Sequence, residues 1–259
     1  MAITNPVLIG GIPSNQSVYE VVTTPRHTPG TIGFLPDGRK FEYVRMDQST
    51  AIGKGKLATY DPVVAAIDKI AVQANTAAGS TTLPVTVTVT LVANELVGGF
   101  ISIDDDAGEA EMYGIVGHAA HSSGTLTLLL DRPLAVAVTT STTATIQFNA
   151  CSVKISAAVT AQATAVEVAA GVPLVDVPAG NTTPNYFWVQ KEGLANVLFG
   201  TVVGAVGQAV YQGEDAGSFQ AMTMDHADTT DRDEKMALGV IVALLPVDTE
   251  YHTVRLFIA

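Results

Sequence analysis

One short segment of the sequence carries enough closely spaced oxygen ligands to hold a cation. Three aspartates and two glutamates lie within residues 104–111, and hard cations such as Ca²⁺ bind several carboxylate and carbonyl oxygens in a turning loop. The spacing differs from the helix–loop–helix calcium loop, since Gly108 occupies the fifth position and no glutamate occupies the twelfth. Asp104, Asp106 and Glu109 are therefore calcium candidates, with a solvated hairpin turn as the alternative interpretation.

Two further clusters match metal sites less well. The loop over residues 225–234 carries several acidic side chains, which are typical of a charged, exposed insert. His118 and His121 lie three residues apart, but the turn signal Ser122–Gly124 follows them, and no carboxylate stands at metal-ligand spacing. We predict no bound metal at either place.

The sequence lacks the arrangements that enzymes use for nucleophilic or phosphate chemistry. It has no Gly-x-Ser-x-Gly elbow, and residues 53–56 lack the spacing of a phosphate-binding loop. Cys151 lies in a strand-like run and is interpreted as a small buried side chain. Asp104 and Glu109 resemble a glycosidase pair, but groove-type glycosidases line their cleft with several aromatic residues, and this chain has a single tryptophan. We predict that the protein is not an enzyme and needs no cofactor.

The charge and composition exclude several classes of partner. The 259 residues include 13 basic and 25 acidic side chains, a net charge of −12, and no segment forms the basic patch that nucleic-acid phosphates require. The longest late apolar stretch, residues 236–247, is too short to span a bilayer, and no signal peptide is visible. We therefore expect a soluble protein made in the cytoplasm. Because 47% of the residues are hydrophobic and only 15% are charged, we expect partner subunits to cover part of the surface.

Short strands are the elements that must position these side chains. Valine and threonine alternate from Val85 to Thr90, a period of two that places the valines on one buried face. Similar runs recur along the chain between turn signals such as Pro36–Gly38. The pattern predicts a mainly β protein of short-stranded sandwich or barrel modules with little helix. The segment from Asp61 to Ala71 is either a short helix capped by Asp61 or extended chain.

Composition changes along the chain predict four parts. Residues 1–30 hold four prolines and few apolar clusters, so we expect an extended N-terminal arm. An N-terminal β module is expected over residues 31–66, a central β domain over 67–150 and a C-terminal β domain over 151–259. Clustered aromatic residues suit a core or a subunit interface. The interface candidates are Pro25, Pro29, Phe41, Tyr43, Tyr186, Phe187 and Trp188.

Three stretches of short β motifs carry a likeness to a known group of proteins. They are Gly98–Asp104 and Gly108–Ile115 with Gly124–Leu134, then Gly171–Leu174 with Asn185–Gly193, and finally Gly204–Val210 with residues 236–243 and 249–258. Together they resemble auxiliary virion proteins of tailed bacteriophages, in particular those that decorate or cement the head. The resemblance implies β-rich modules, trimeric or other multimeric placement on the capsid lattice and stabilisation of the shell. It brings no catalytic residues.

The expected function is therefore that of a non-enzymatic capsid decoration or cement protein. It would bind the assembled head, bridge subunits of the major capsid protein and form a homo-oligomer, with a trimer favoured, on the outer surface of the virion. The nearly neutral first 66 residues would dock on the shell, and the acidic remainder would face solvent. The alternative is a head or tail fibre protein that binds host surface glycans through Trp188 or the loop at residues 104–106. A third interpretation is a hydrolase of the cell envelope.

Overall fold

Alternating valine and threonine residues form a strand, as their period of two predicts. In the segment Thr82–Val87 the side chains of Leu83, Val85 and Val87 are fully buried, and the intervening ones are half-buried. The computed structural model describes residues 6–46, 48–61, 67–157, 167–180, 183–200, 204–221, 236–243 and 250–259. Its strands pair antiparallel throughout, and these residues contain no α-helix. The prediction of a mainly β protein with little helix is confirmed.

The described residues form eighteen strands, β1 to β18 in chain order. They are β1 (Pro6–Ile9), β2 (Ile12–Ser17), β3 (Ile32–Phe34), β4 (Lys40–Met46), β5 (Ala58–Tyr60), β6 (Ile70–Ala71), β7 (Thr82–Val87), β8 (Phe100–Ile103), β9 (Met112–His118), β10 (Gly124–Leu130), β11 (Thr143–Gln147), β12 (Val153–Ile155), β13 (Ala169–Pro173), β14 (Asn185–Leu198), β15 (Ala209–Gln212), β16 (Phe219–Ala221), β17 (Gly239–Ala243) and β18 (Tyr251–Phe257).

The chain divides into two units, and one is inserted into the other. Residues 61–150 form the inserted unit, and residues 1–60 with 151–259 form the other. The chain leaves the discontinuous unit after β5 and re-enters it at β12, and these two strands pair, with Tyr60 opposite Val153. The parts predicted over 1–30, 31–66 and 151–259 are thus not separate domains. The physical reason is that β4 pairs along its length with β14, so neither strand can be buried without the other.

The inserted unit is a six-stranded sheet that closes on itself, in the order β6-β11-β8-β9-β10-β7. Its two end strands meet through a bridge between Val72 and Val85, and the Gln73 N–H donates to the carbonyl oxygen of Pro84 over 2.9 Å. One cluster of buried side chains, mostly Val, Leu and Ile, fills the inside. The unit is therefore a packed barrel rather than a pore. It carries nine acidic and two basic side chains, which gives a net charge of −7.

The discontinuous unit is organised around β14, the longest described strand, with 14 residues. The sheet order is β16-β15-β17-β18-β14-β4-β3-β1-β2, and β13 links β14 to β5 and β12. The first half of β14 pairs with β4 and its second half with β18. The register shifts between Gln190 and Glu192, where Lys191 is the extra residue of a bulge. This bulge is the point at which the strand changes partners.

The predicted N-terminal arm contains a β-hairpin that belongs to the sheet, which corrects that expectation. β1 and β2 are joined by Gly10 and Gly11, both at positive φ (56° and 85°), as a two-residue hairpin turn requires. The buried Gln16 accepts a hydrogen bond from the Tyr43 hydroxyl (2.7 Å) and donates to the Tyr186 carbonyl oxygen (3.1 Å). The segment is held by the core instead of reaching freely towards a neighbour.

Four of the aromatic interface candidates lie in the core. Phe41, Tyr43, Phe187 and Trp188 are all 0% exposed, so their side chains cannot reach a partner, and their assignment as interface residues is corrected. The reason is that β4 and β14 are covered on both faces: Phe187 packs in one buried cluster, and the other three pack in a second. Of the remaining candidates, Tyr186 and Pro29 are half-buried and Pro25 is exposed.

The segment considered for a helix, Asp61 to Ala71, ends in strand β6. Residues 62–66 of it lie outside the described residues. In the part of the chain that the structure describes, no helix has the length and apolar character needed to cross a bilayer.

Candidate functional site

The carboxylates of the acidic segment at residues 104–106 accept hydrogen bonds from hydroxyl groups of the barrel unit. The Asp104 carboxylate accepts hydrogen bonds from the hydroxyls of Thr145 (2.6 Å) and Ser102 (3.2 Å). The Asp106 carboxylate accepts one from Thr139 (3.0 Å), and Glu109 is exposed. The Asp104 and Asp106 carboxylates therefore hold the turn between β8 and β9 against neighbouring hydroxyl groups.

The described residues contain no group of three His, Cys, Asp or Glu side chains placed to hold a metal ion. The buried His118 accepts a hydrogen bond at Nε2 from the Leu96 N–H (3.0 Å), and its Nδ1 lies 2.7 Å from the carbonyl oxygen of Ala119. Its proton is therefore on Nδ1. His121 binds the Val87 carbonyl oxygen through Nε2 (3.0 Å). Both imidazoles fix loops of the barrel. The acidic loop at 225–234 lies outside the described residues.

A buried polar cluster in the discontinuous unit escaped the sequence reasoning. The Lys191 ammonium lies 3.0 Å from a Glu42 carboxylate oxygen, and the two side chains are 7% and 8% exposed. The Tyr60 hydroxyl donates to the same carboxylate oxygen over 2.6 Å, and Lys191 donates to the Tyr60 oxygen over 3.1 Å. Burial and the Glu42 carboxylate raise the pKa of Tyr60 well above its usual range. The only signal in the sequence was the placing of charged residues within two strand-like aromatic runs.

Cys151 belongs to this cluster and is a poor nucleophile. Burial raises the pKa of its thiol to about 12, and the charge of the Glu42 carboxylate and a hydrogen bond to it add to the shift. A thiol must lose its proton to attack a carbon or a disulfide. The cluster thus contains residue types that are common in catalytic sites, but its cysteine is held as the unreactive, protonated thiol.

We expect native Cys151 to alkylate slowly. At pH 8 a thiol of pKa about 12 holds about a thousandfold less thiolate than one with the ordinary value of 9.0. The rate of modification by iodoacetamide, followed by intact mass between pH 7 and 11, should rise tenfold per pH unit across the whole range. The same chain unfolded in guanidinium is the control and should level off near pH 9. Equal rates for the native and unfolded chains would contradict a protonated thiol.

The strands at the N-terminal end of the large sheet present an exposed apolar row. Pro13 stands opposite Leu8, and Leu8 stands opposite Phe34, so the three side chains share one face. Phe34 is 47% exposed, and Ile32, two residues away on the same strand and face, is 37% exposed. Leu8, Pro13, Ile32 and Phe34 are here called the N-terminal edge.

Two further features make the N-terminal edge suited to a protein partner. β2 ends the described sheet order, so no second described strand pairs with it, and exposed strand edges add strands or pack against partners. Arg26 covers part of this edge, since its guanidinium donates to the Asn15 carbonyl oxygen over 2.6 Å. On the other side, Lys40 stands opposite Phe34 and forms a 2.7 Å ion pair with Glu192. The apolar row is thus bordered by an ion pair of no net charge. A partner that covers the row would therefore not bury an unpaired charge.

Comparison with known proteins adds no relative. No protein-family model matches the chain. No curated protein is significantly similar to it. No solved structure matches its fold significantly.

Proposed function

We propose that the chain is a non-enzymatic decoration protein of a tailed-bacteriophage head that binds the major capsid protein through the N-terminal edge. The observation that carries the proposal is the exposed apolar row of that edge, beside β2, the last strand of the described sheet order. Large exposed apolar side chains in a row favour a protein interface over solvent. The resemblance of the sequence to phage decoration proteins supplies the identity of the partner.

The charge distribution supports an outward orientation of the rest of the chain. The barrel unit carries a net charge of −7, and a strongly acidic surface keeps particles apart in solution. In this proposal the protein sits on the outer surface of the capsid, bridges neighbouring capsid subunits and acts as a homo-oligomer, with a trimer as the favoured state. The buried polar cluster, with its protonated cysteine, supports a structural role over a catalytic one.

Replacing both Ile32 and Phe34 by serine should release the protein from heads. Ile32 and Phe34 are 37% and 47% exposed, and burying these exposed parts at an interface contributes about 1–2 kcal/mol in total, so the double variant should bind heads about tenfold more weakly. Undecorated heads are incubated with each purified variant, pelleted and scored by gel densitometry. A thermal melt followed by circular dichroism confirms that the variant is folded.

The matched control is Phe257→Ser, because Phe257 is also 47% exposed but lies three strands away, on β18. It should bind heads like the unmodified chain. Unchanged occupancy of the double variant would remove the N-terminal edge from the proposal. An equal loss for both variants would place the contact on the central strands instead.

A further inference from the structure

The discontinuous unit contains a cavity of about 430 Å³, within the range of about 300–1,000 Å³ that is typical of small-molecule sites. It lies beside the bulge of β14, where that strand exchanges β4 for β18. Strand bulges open such spaces because they interrupt the ladder locally. The side chains that matter for its chemistry are Tyr19, Arg39, Lys54, Gln190, Asn196 and Tyr251.

Two cationic side chains line the cavity, and the carboxylates of Asp37 and Asp176 lie beside them, bound to Arg39 Nε (2.7 Å) and to the Lys54 backbone N–H (2.9 Å). Arg39 and Lys54 line it, and its described lining includes no aspartate or glutamate. Arg39 uses its Nε to bind Asp37 over 2.7 Å, which leaves its two terminal nitrogens for a ligand. The Lys54 ammonium makes no ion pair or hydrogen bond within the described residues, and Lys54 is exposed. The Lys54 ammonium and the terminal nitrogens of Arg39 therefore offer charged donors to an anionic ligand.

A buried acceptor in the lining lacks a donor. Gln190 is 0% exposed, and its Oε1 accepts no hydrogen bond within the described residues. Its Nε2 donates to the carbonyl oxygens of Glu192 (3.1 Å) and Leu194 (2.9 Å). Both partners are acceptors, so turning the amide over would lose two hydrogen bonds and gain none. An unpaired buried acceptor is costly, and a ligand that brings an O–H or N–H group would satisfy it once the atoms that cover Gln190 Oε1 shift.

The cavity also offers a fixed aromatic surface. The Tyr251 hydroxyl donates to the carbonyl oxygen of Lys54 over 3.1 Å. Its ring packs so closely on Gly55 that a Cβ at that position would overlap it. Tyr251 is nevertheless 38% exposed, and Tyr19 and Leu194, at 50% and 55%, add apolar surface. A rigid, half-exposed ring costs little conformational entropy when a flat ligand packs on it.

We propose that this cavity binds an acidic saccharide, a sugar unit that carries a carboxylate. The carboxylate pairs with Lys54 and Arg39, a sugar hydroxyl donates to Gln190 Oε1, and the C–H face of the ring packs on Tyr251. The Asn196 side-chain oxygen already accepts a hydrogen bond from the Thr253 hydroxyl (3.0 Å). The amide nitrogen of Asn196 can donate to a further sugar hydroxyl. A saccharide uses the charge, the unpaired acceptor and the aromatic surface together, whereas a free phosphate leaves the aromatic surface unused. The inference does not depend on capsid docking.

The test is a glycan array of matched acidic and neutral oligosaccharides, followed by calorimetric titration of the best acidic ligand. The full chain should retain uronic- or sialic-acid glycans and bind their neutral counterparts at least about tenfold more weakly. Lys54→Met should weaken acidic binding about tenfold, and Lys54→Arg should preserve it. Lys69→Met is the control, because Lys69 is an exposed lysine of the barrel unit whose ammonium has no partner within the described residues.

The outcomes separate the site from its alternatives. Retention of no acidic glycan would overturn the proposal, as would equal binding of acidic and neutral sugars. Competition by inorganic phosphate as strongly as by the sugar would reduce the site to an anion site, and preference for a glutamate-rich peptide would make it a peptide site. Equal losses for the Lys54 and Lys69 methionine variants would show a general charge effect. Capsid occupancy of the Lys54→Met variant, measured alongside, distinguishes failure here from failure of the docking proposal.

Discussion

Replacing Lys191 by methionine should lower the free energy of unfolding by about 3–5 kcal/mol. The methionine fills the space of the lysine stem but leaves the Glu42 carboxylate, 8% exposed, without its cation. The Tyr60 hydroxyl still donates to that carboxylate, but a hydrogen bond does not replace a full opposite charge in a poorly solvated site. The measurement is equilibrium unfolding in urea, followed by far-ultraviolet circular dichroism at pH 7.

Two variants serve as controls for Lys191→Met. Lys40→Met breaks the ion pair with Glu192, whose side chains are 27% and 46% exposed, and should cost about 1 kcal/mol or less, since solvent screens that pair. The double variant Lys191→Met with Glu42→Leu should recover most of the loss, because replacing both members of a buried pair by apolar groups is often nearly neutral. Equal losses for Lys191→Met and Lys40→Met would show that burial does not set the strength of these pairs.

The sequence predicts the strand content well, because local pattern decides it. The alternation around Val85 shows directly which side chains face the barrel interior. The hairpin β1–β2 was missed, since Pro13 was interpreted as a sign of an arm. Proline is tolerated in an outermost strand, where one side of the backbone needs no donor, and β2 occupies that position. Whether a proline-rich segment pairs with a sheet depends on a neighbouring strand, which local composition does not reveal.

Long-range pairing explains the other differences. β4 and β14 lie side by side although a whole barrel separates them in sequence, and no local signal specifies that partnership. Because β4 and the first half of β14 are covered on both faces, their consecutive residues are mostly buried instead of alternating. The same covering places Glu42 and Lys191 together in the interior and makes a run such as 186–188 part of the core. An exposed aromatic cluster and a core strand buried on both faces have the same local composition. The sequence alone therefore could not distinguish a core from an interface for residues 186–188.

Replacing Trp188 by alanine should lower the free energy of unfolding by about 3–5 kcal/mol, which is typical when a buried large aromatic side chain is removed. Trp188 is 0% exposed, and its ring centroid lies 5.0 Å from that of Tyr43 and 5.5 Å from that of His27. Alanine leaves a cavity between the hairpin segment and β4. Because Trp188 is the only tryptophan, unfolding is followed by circular dichroism in urea instead of by fluorescence.

The variant Trp188→Phe separates the packing of the ring from its polar atom. The Trp188 Nε1 has no hydrogen-bond acceptor within the described residues, so phenylalanine removes an unsatisfied buried donor along with part of the ring. Trp188→Phe should therefore lower the free energy of unfolding by well under half as much as Trp188→Ala does. If Trp188 were an interface residue, alanine would leave the stability of the isolated chain unchanged and lower only its capsid occupancy. A large loss of stability from alanine, together with normal head binding by the folded phenylalanine variant, would assign the aromatic run to the core and leave the N-terminal edge as the docking surface.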